Sequence, residues 1–157
     1  MWAFIPLWSH TMLFVYGTLQ DADVLGAVLG RPIDVAGLRR ALAPGFRAVA
    51  YPGRVYPALV AADLDTAPGL LLDRLSPLDM AVLDAFEGEE YRREAITVLA
   101  GGARHLAGAY LPVAAIAAAT PAWSLAEWTA RHKPLVLGRE TDMTTTLRQR
   151  LSARPAH

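Results

Sequence analysis

The sequence predicts an α+β fold, a curved or barrel-like mixed sheet with flanking helices. Three observations point there. Short apolar runs of strand character recur between Gly and Pro turns, strong helix signals are few and short, and 54% of the 157 residues are hydrophobic. That composition is ample for one core, and the length suits one ordinary domain. A doubly wound sheet would instead alternate each strand with a long helix.

The elements follow in chain order. Residues 1–11, MWAFIPLWSHT, read as an N-terminal arm or extension: apolar, yet far shorter than the ~20 residues that span a bilayer, and without the basic start or cleavage site of a signal peptide. A single domain is expected over 12–157, cytoplasmic by default, with no membrane as partner. MLFVYGTLQ carries strand residues Val15 and Tyr16 and closes on Gly17 and Thr18; DADVLGAVLG then spaces Val24, Leu25, Val28 and Leu29 on one helical face, with Asp21 to cap it and Gly30 to end it. A strand that turns through Gly into a helix start leaves backbone N–H groups free for an anion or a carbonyl oxygen, although most such turns only turn. Between Val35 and Leu72, AVAYPG, YPALVAA and GLLLDRL are the expected strands, punctuated by Pro52, Gly53, Pro57, Pro68 and Gly69. REAITVLA and LAGAYLP add two more around a GGAR hairpin turn. Near the C-terminus, Ser124 and Glu127 form a capping box with Trp123 and Trp128 at staple spacing, which predicts a helix from about Leu125 to His132. TDMTTTLRQRLSA is a further candidate helix, weakened by its threonines.

Charge and side-chain inventory exclude several functions. Fifteen basic residues balance fifteen acidic ones, so the basic surplus of a nucleic-acid binder is missing. There is no cysteine, hence no disulfide, thiolate nucleophile or Cys-rich zinc site. The four histidines are scattered, none paired at metal-ligand spacing, and each reads first as a surface or packing residue. Nothing in the sequence reports an oligomeric state.

The segment LSPLDMAVLDAFEGEEYRRE concentrates the chemistry. Ser76 is an N-cap, Pro77 suits the first helical position, Asp79 sits where a capping-box acid belongs and Leu75 can staple onto Met80. Leu78, Val82 and Phe86 form the core stripe, widened by Leu75 and Leu83, and Gly88 is the expected left-handed terminator. Glu87 therefore falls in the last turn, beside Glu89 and Glu90. A helix C-terminus repels a carboxylate, two neighbouring acids add like charge, and partial burial behind Phe86 disfavours ionisation further. All three raise its pKa from about 4.3, toward the range useful for general acid–base catalysis; Arg92 and Arg93 oppose the shift. The plainer reading of the same residues is a solvated acidic turn paired with those arginines. Asp84, three residues before Glu87, also raises a two-carboxylate glycosidase, a spacing common by chance.

Taken together, FVYGTLQ and LDAFEGEEYRREAITV, with YPALV and GLLLDRL between them, resemble the γ-glutamylcyclotransferase family, including its AIG2-like members, over Leu13 to about Leu111. The resemblance implies a small mixed β-barrel with flanking helices and release of 5-oxoproline from a γ-glutamyl compound. It implies Glu87 as the catalytic acid–base and Tyr16, Gly17, Thr18 and Leu19 as the substrate-binding loop. Tyr91 matches the tyrosine of the EG..Y.R motif. It implies a small γ-glutamyl substrate and no metal or organic cofactor. For Tyr16 the plainer alternative is a core strand residue, and Tyr91 could equally be a cover for the barrel mouth. Arg54 and Arg92 are candidates for the substrate α-carboxylate, with surface charge the plainer reading. A non-catalytic AIG2-like binding module is the alternative function; a third possibility keeps the ring closure and changes the leaving amine.

Overall fold

The computed structural model describes residues 12–134 and 149–151. The expected arm over 1–11 and most of TDMTTTLRQRLSA lie outside the described residues. Five strands close into a barrel: β1 (Leu13–Val15), β2 (Arg39–Ala50), β3 (Pro57–Leu72), β4 (Tyr91–Ala100) and β5 (Ala103–Pro112), in the order β1-β3-β2-β4-β5. The sheet is mixed because β1 runs parallel to β5 at Leu13 and Gly108, while the other pairs are antiparallel. Closure removes exposed strand edges, the usual weakness of a small sheet.

Alternation along the strands sorts side chains into two large cores, with a third, small cluster at Val49, Ala58 and Val60. Phe14, Leu59, Leu71, Ile96 and Val98 fill the barrel interior with Ala41, Ala43, Ala67, Ala100, Ala107 and Ala109. The small residues leave room for the Phe14 and Tyr16 rings, which stack at 6.4 Å. Leu13, Val15 and Leu72 face outward beneath α1 (Ala22–Leu29), α2 (Pro77–Glu87) and α3 (Leu125–Arg131).

The helices form where local signals place them. Asp21 accepts from the N–H groups of Asp23 and Val24, and Gly30 ends α1 at φ 71°. In α2 the Ser76–Asp79 capping box is complete in both directions. Its buried stripe is centred on Met80, Val82 and Leu83, with Leu78 and Phe86 at the edges. Asp79 is buried as well, because Arg31 reaches it with two hydrogen bonds of 2.9 Å. Gly88 does stop the helix, but at φ 72°, ψ −162°, an extended positive-φ conformation and not the compact left-handed one expected. Ser124 caps α3 through the Glu127 N–H at 3.2 Å, and Trp128 is buried.

Two strands are longer than their sequence suggests. YPALVAA and GLLLDRL, expected as separate strands, belong to one 16-residue β3 that runs through Pro68 and Gly69. Similarly, β2 passes through Pro44 and Gly45 with a register shift there. Each proline lies where the strand's other neighbour no longer runs alongside: β1 pairs only with Leu70–Leu72, and β4 meets β2 at Leu42. The GGAR turn forms as expected, with Gly101 and Gly102 both at positive φ between β4 and β5. Among the described residues, no helix is long and apolar enough to cross a membrane.

Candidate active site

The site is built where β1 ends. After Val15 the chain leaves the sheet through Tyr16 and Gly17 into a short 3-10 turn, Thr18–Gln20, tied by Gln20 N–H to Gly17 O at 3.1 Å. The opening N–H groups of such a turn have no partner within it. Gly17 is required by proximity: a Cβ there would lie 2.8 Å from Pro57 Cγ. The last turn of α2 brings Glu87 to the same place, half-buried and flanked by exposed Gly88 and Glu89.

These pieces border one cavity. Tyr16, Gly17, Leu19, Glu87 and Tyr91 line it together with Phe14, Val15, Tyr56, Pro57 and Tyr110. Of the expected site residues only Thr18 is absent from the lining; it is buried beside it. The cavity volume is about 30 Å³, room for a water or two. The groove beside Leu42 and Leu99 is larger, at about 890 Å³, but Glu87 takes no part in it.

The tyrosines report the electrostatics. Burial pushes the Tyr16 phenol well above its ordinary value, and the Glu87 charge adds to this, against a backbone hydrogen bond with Leu59. Burial likewise raises Tyr91, followed by the charges of Tyr16 and Glu87. For Tyr110, burial comes first, then its hydrogen bond to Asp84, with Glu87 contributing again. Glu87 is the one carboxylate acting on all three, so its charge sits among them. The Tyr16 hydroxyl donates to the Tyr110 carbonyl at 2.5 Å, and the Tyr91 hydroxyl to the Pro57 carbonyl at 2.5 Å. Both phenols are thus anchored to the backbone, and their rings form walls.

At the rim, Tyr51, Tyr56 and Tyr91 cluster with ring centroids 5.8–6.1 Å apart. Glu90 accepts from the Tyr56 hydroxyl and from Arg54, each at 2.9 Å. Burial, then that carboxylate, push Tyr56 up to about 12. Arg54 pairs with Glu90 and Arg92 with Glu94, and neither arginine lines the cavity, as the surface-charge reading expected. Asp84 does not line the cavity with Glu87, and its oxygens accept from Arg93 and Tyr110. Sequence reasoning missed Tyr56 and Tyr110 as lining residues. They come from segments distant in sequence, Tyr56 from the bend just before β3 and Tyr110 from β5, two positions before the end of GAYLP, where nothing local marks a site. Among the described residues, no three His, Asp or Glu side chains gather as a metal site would need.

Residues 13–130 match the family described as Gamma-glutamyl cyclotransferase, AIG2-like. AIG2-like protein D of Arabidopsis thaliana is 39% identical over 87 residues, 55% of this chain and 55% of that protein. AIG2-like protein A of the same plant is 33% identical over 87 residues, 55% of this chain and 51% of its own length. The chain thus spans about half the length of the curated relatives it matches. A solved Arabidopsis thaliana structure superposes with a TM-score of 0.62 at 25% identity, over 93% of this chain and 95% of the other. An AIG2-like protein from Mus musculus gives 0.51 at 22%, over 69% of this chain and 80% of its own. A γ-glutamyl cyclotransferase gives 0.52 at 10%, over 94% and 89%. At those lower identities the likeness speaks for the fold alone.

Proposed function

Because the chain belongs to the γ-glutamyl cyclotransferase, AIG2-like family, we propose that it releases 5-oxoproline from a γ-glutamyl amine or γ-glutamyl amino acid, with Glu87 as general acid–base. The observation that carries this reading is a shared cavity wall: Glu87 and the Tyr16–Gly17–Leu19 turn border the same small space, with Tyr91 beside them.

The steps follow from the substrate's own chemistry. Its α-amino group arrives as an ammonium, which has no lone pair to attack with. Glu87 accepts one proton, and the freed amine attacks the γ-carbonyl carbon, forming the C–N bond that closes a five-membered ring. Both reacting groups belong to one molecule, so holding it folded supplies much of the rate. The tetrahedral oxyanion needs fixed donors, a role this reading assigns to the N–H groups of the turn at Gly17–Leu19. Collapse breaks the γ-amide bond as Glu87 returns its proton to the departing amine. The ring nitrogen, which still carries two protons after the attack, gives one up by way of Glu87, and the amine leaves as an ammonium. No water and no redox partner enter the balance.

The walls constrain how the substrate is held. Among the described residues no Lys or Arg lines the cavity, so backbone N–H groups are the donors this reading assigns to the α-carboxylate.

A panel of γ-glutamyl amines and amino acids, assayed for 5-oxoproline with wild type and Glu87→Gln, tests the proposal. Product is expected from wild type only. Ligand-induced thermal stabilisation with no product from any compound would replace it with the binding-module reading.

A further inference from the structure

Three residues beside the cavity make one connected unit that the reaction steps do not use. Asp84 lies one turn before Glu87 on α2, on the same helical face. The β4–β5 register sets Arg93 directly across from Tyr110, and both side chains reach up to that carboxylate. The Arg93 Nε donates to Asp84 Oδ1 at 3.0 Å and Nη2 to Oδ2 at 3.3 Å, a two-pronged grip. The Tyr110 hydroxyl donates to Asp84 Oδ1 at 2.7 Å. The stem of Arg93 crosses over Gly108, where a Cβ would come 3.3 Å from its Cγ and Cδ.

Tyr110 also holds the opposite side of the site, since its carbonyl accepts from the Tyr16 hydroxyl at 2.5 Å. One residue of β5 is therefore bonded to the helix that carries Glu87 through its side chain, and to the substrate-side turn through its backbone. Its ring is 4% exposed and forms part of the cavity wall.

We propose that Asp84, Arg93 and Tyr110 are positioning residues: a clamp that fixes the last turn of α2 against β4 and β5 and so sets the distance from Glu87 to the Tyr16–Leu19 turn. The assignment rests on the functional reading above for its catalytic consequence, and on the hydrogen bonds alone for its geometry. It gives the aspartate of LDAFEG and the arginine of YRRE a shared task.

Magnitudes separate positioning from simple stabilisation. The Asp84 side chain is 45% exposed and that of Arg93 28%. An ion pair so open to solvent contributes little to folding. A catalytic carboxylate displaced by about 1 Å, by contrast, can lower turnover about a hundredfold.

The test compares Asp84→Asn, Tyr110→Phe and the double variant in the full chain. Expected are a fall in kcat of about tenfold or more in each single variant, KM within about twofold, and a double variant no worse than the worse single, since both act through one contact. Melting temperatures should stay close to wild type, and Arg93→Lys should retain part of the activity. Independently of turnover, amide hydrogen exchange should quicken over residues 85–88 in both single variants and stay unchanged at the start of α2. Losses in kcat that multiply in the double variant, or unchanged exchange at 85–88, would overturn the clamp. If wild type yields no 5-oxoproline from any substrate, the functional reading fails, and the exchange measurement alone decides the clamp.

Discussion

At the scale of single residues, the proposed reaction divides its work between Gly17 and Glu87. Among the described residues that line the cavity, Glu87 supplies the one carboxylate; the others are tyrosines, glycine, proline and hydrocarbons. Gly17 supplies an absence. A methyl there would meet Pro57 Cγ at 2.8 Å, so either the turn or Pro57 must shift. Gly17→Ala is expected to lower kcat/KM by about tenfold or more, because the N–H donors move, while circular dichroism and melting stay near wild type. Undiminished kcat/KM in that variant would remove the turn from the site. These two positions were readable in the sequence because each sits at a local punctuation mark, a Gly turn after a strand and a helix end before Gly88. Tyr110 and Tyr56 were not, since their roles come from partners 94 and 34 residues away, at Tyr16 and Glu90 respectively.

The helices and strands differ in how much of them is local. Everything that starts α2 lies within six residues, from Leu75 to Met80, and the helix forms over Pro77–Glu87 as the caps require. Whether β3 continues through Pro68 depends on where β1 stops beside it, which no window of β3 can reveal. The tie between α1 and α2 is also nonlocal. Burial alone would raise the Asp79 carboxyl, but the Arg31 guanidinium and the Ser76 hydrogen bonds prevail and hold it well below the usual carboxylate range. The folded value is therefore depressed, so the stabilisation is present in full above the unfolded value of about 3.9 and is lost as pH falls through the folded one. Asp79→Asn should destabilise the protein at pH 7 by about 2 kcal/mol, tempered by the half-exposed Arg31. Denaturant melts at neutral and strongly acidic pH check this, and the gap between the two proteins should narrow at the acidic end.

For the molecule as a whole, the barrel gathers Tyr16 from the end of β1, Tyr91 from β4 and Tyr110 from β5 around the carboxylate of α2. Burial leads the upward shift in all three phenols. A raised folded value means stability is complete below the unfolded value of about 10 and declines as pH rises beyond it. Tyrosinate absorbance from these rings should accordingly appear together with unfolding at alkaline pH; their ionisation in an intact barrel would contradict the packing described. Strand content and a curved or barrel-like mixed sheet were readable from the short apolar runs between turn residues, and the family resemblance implied the small barrel. The order β1-β3-β2-β4-β5 was not, because pairing partners leave no mark in composition or period. The measurement that bears most directly on the central claim is 5-oxoproline release by wild type and Glu87→Gln under identical conditions, on a γ-glutamyl compound that wild type turns over. A loss of roughly a hundredfold to ten-thousandfold in kcat with the fold intact is the predicted result, and an equal rate from the two proteins would contradict it.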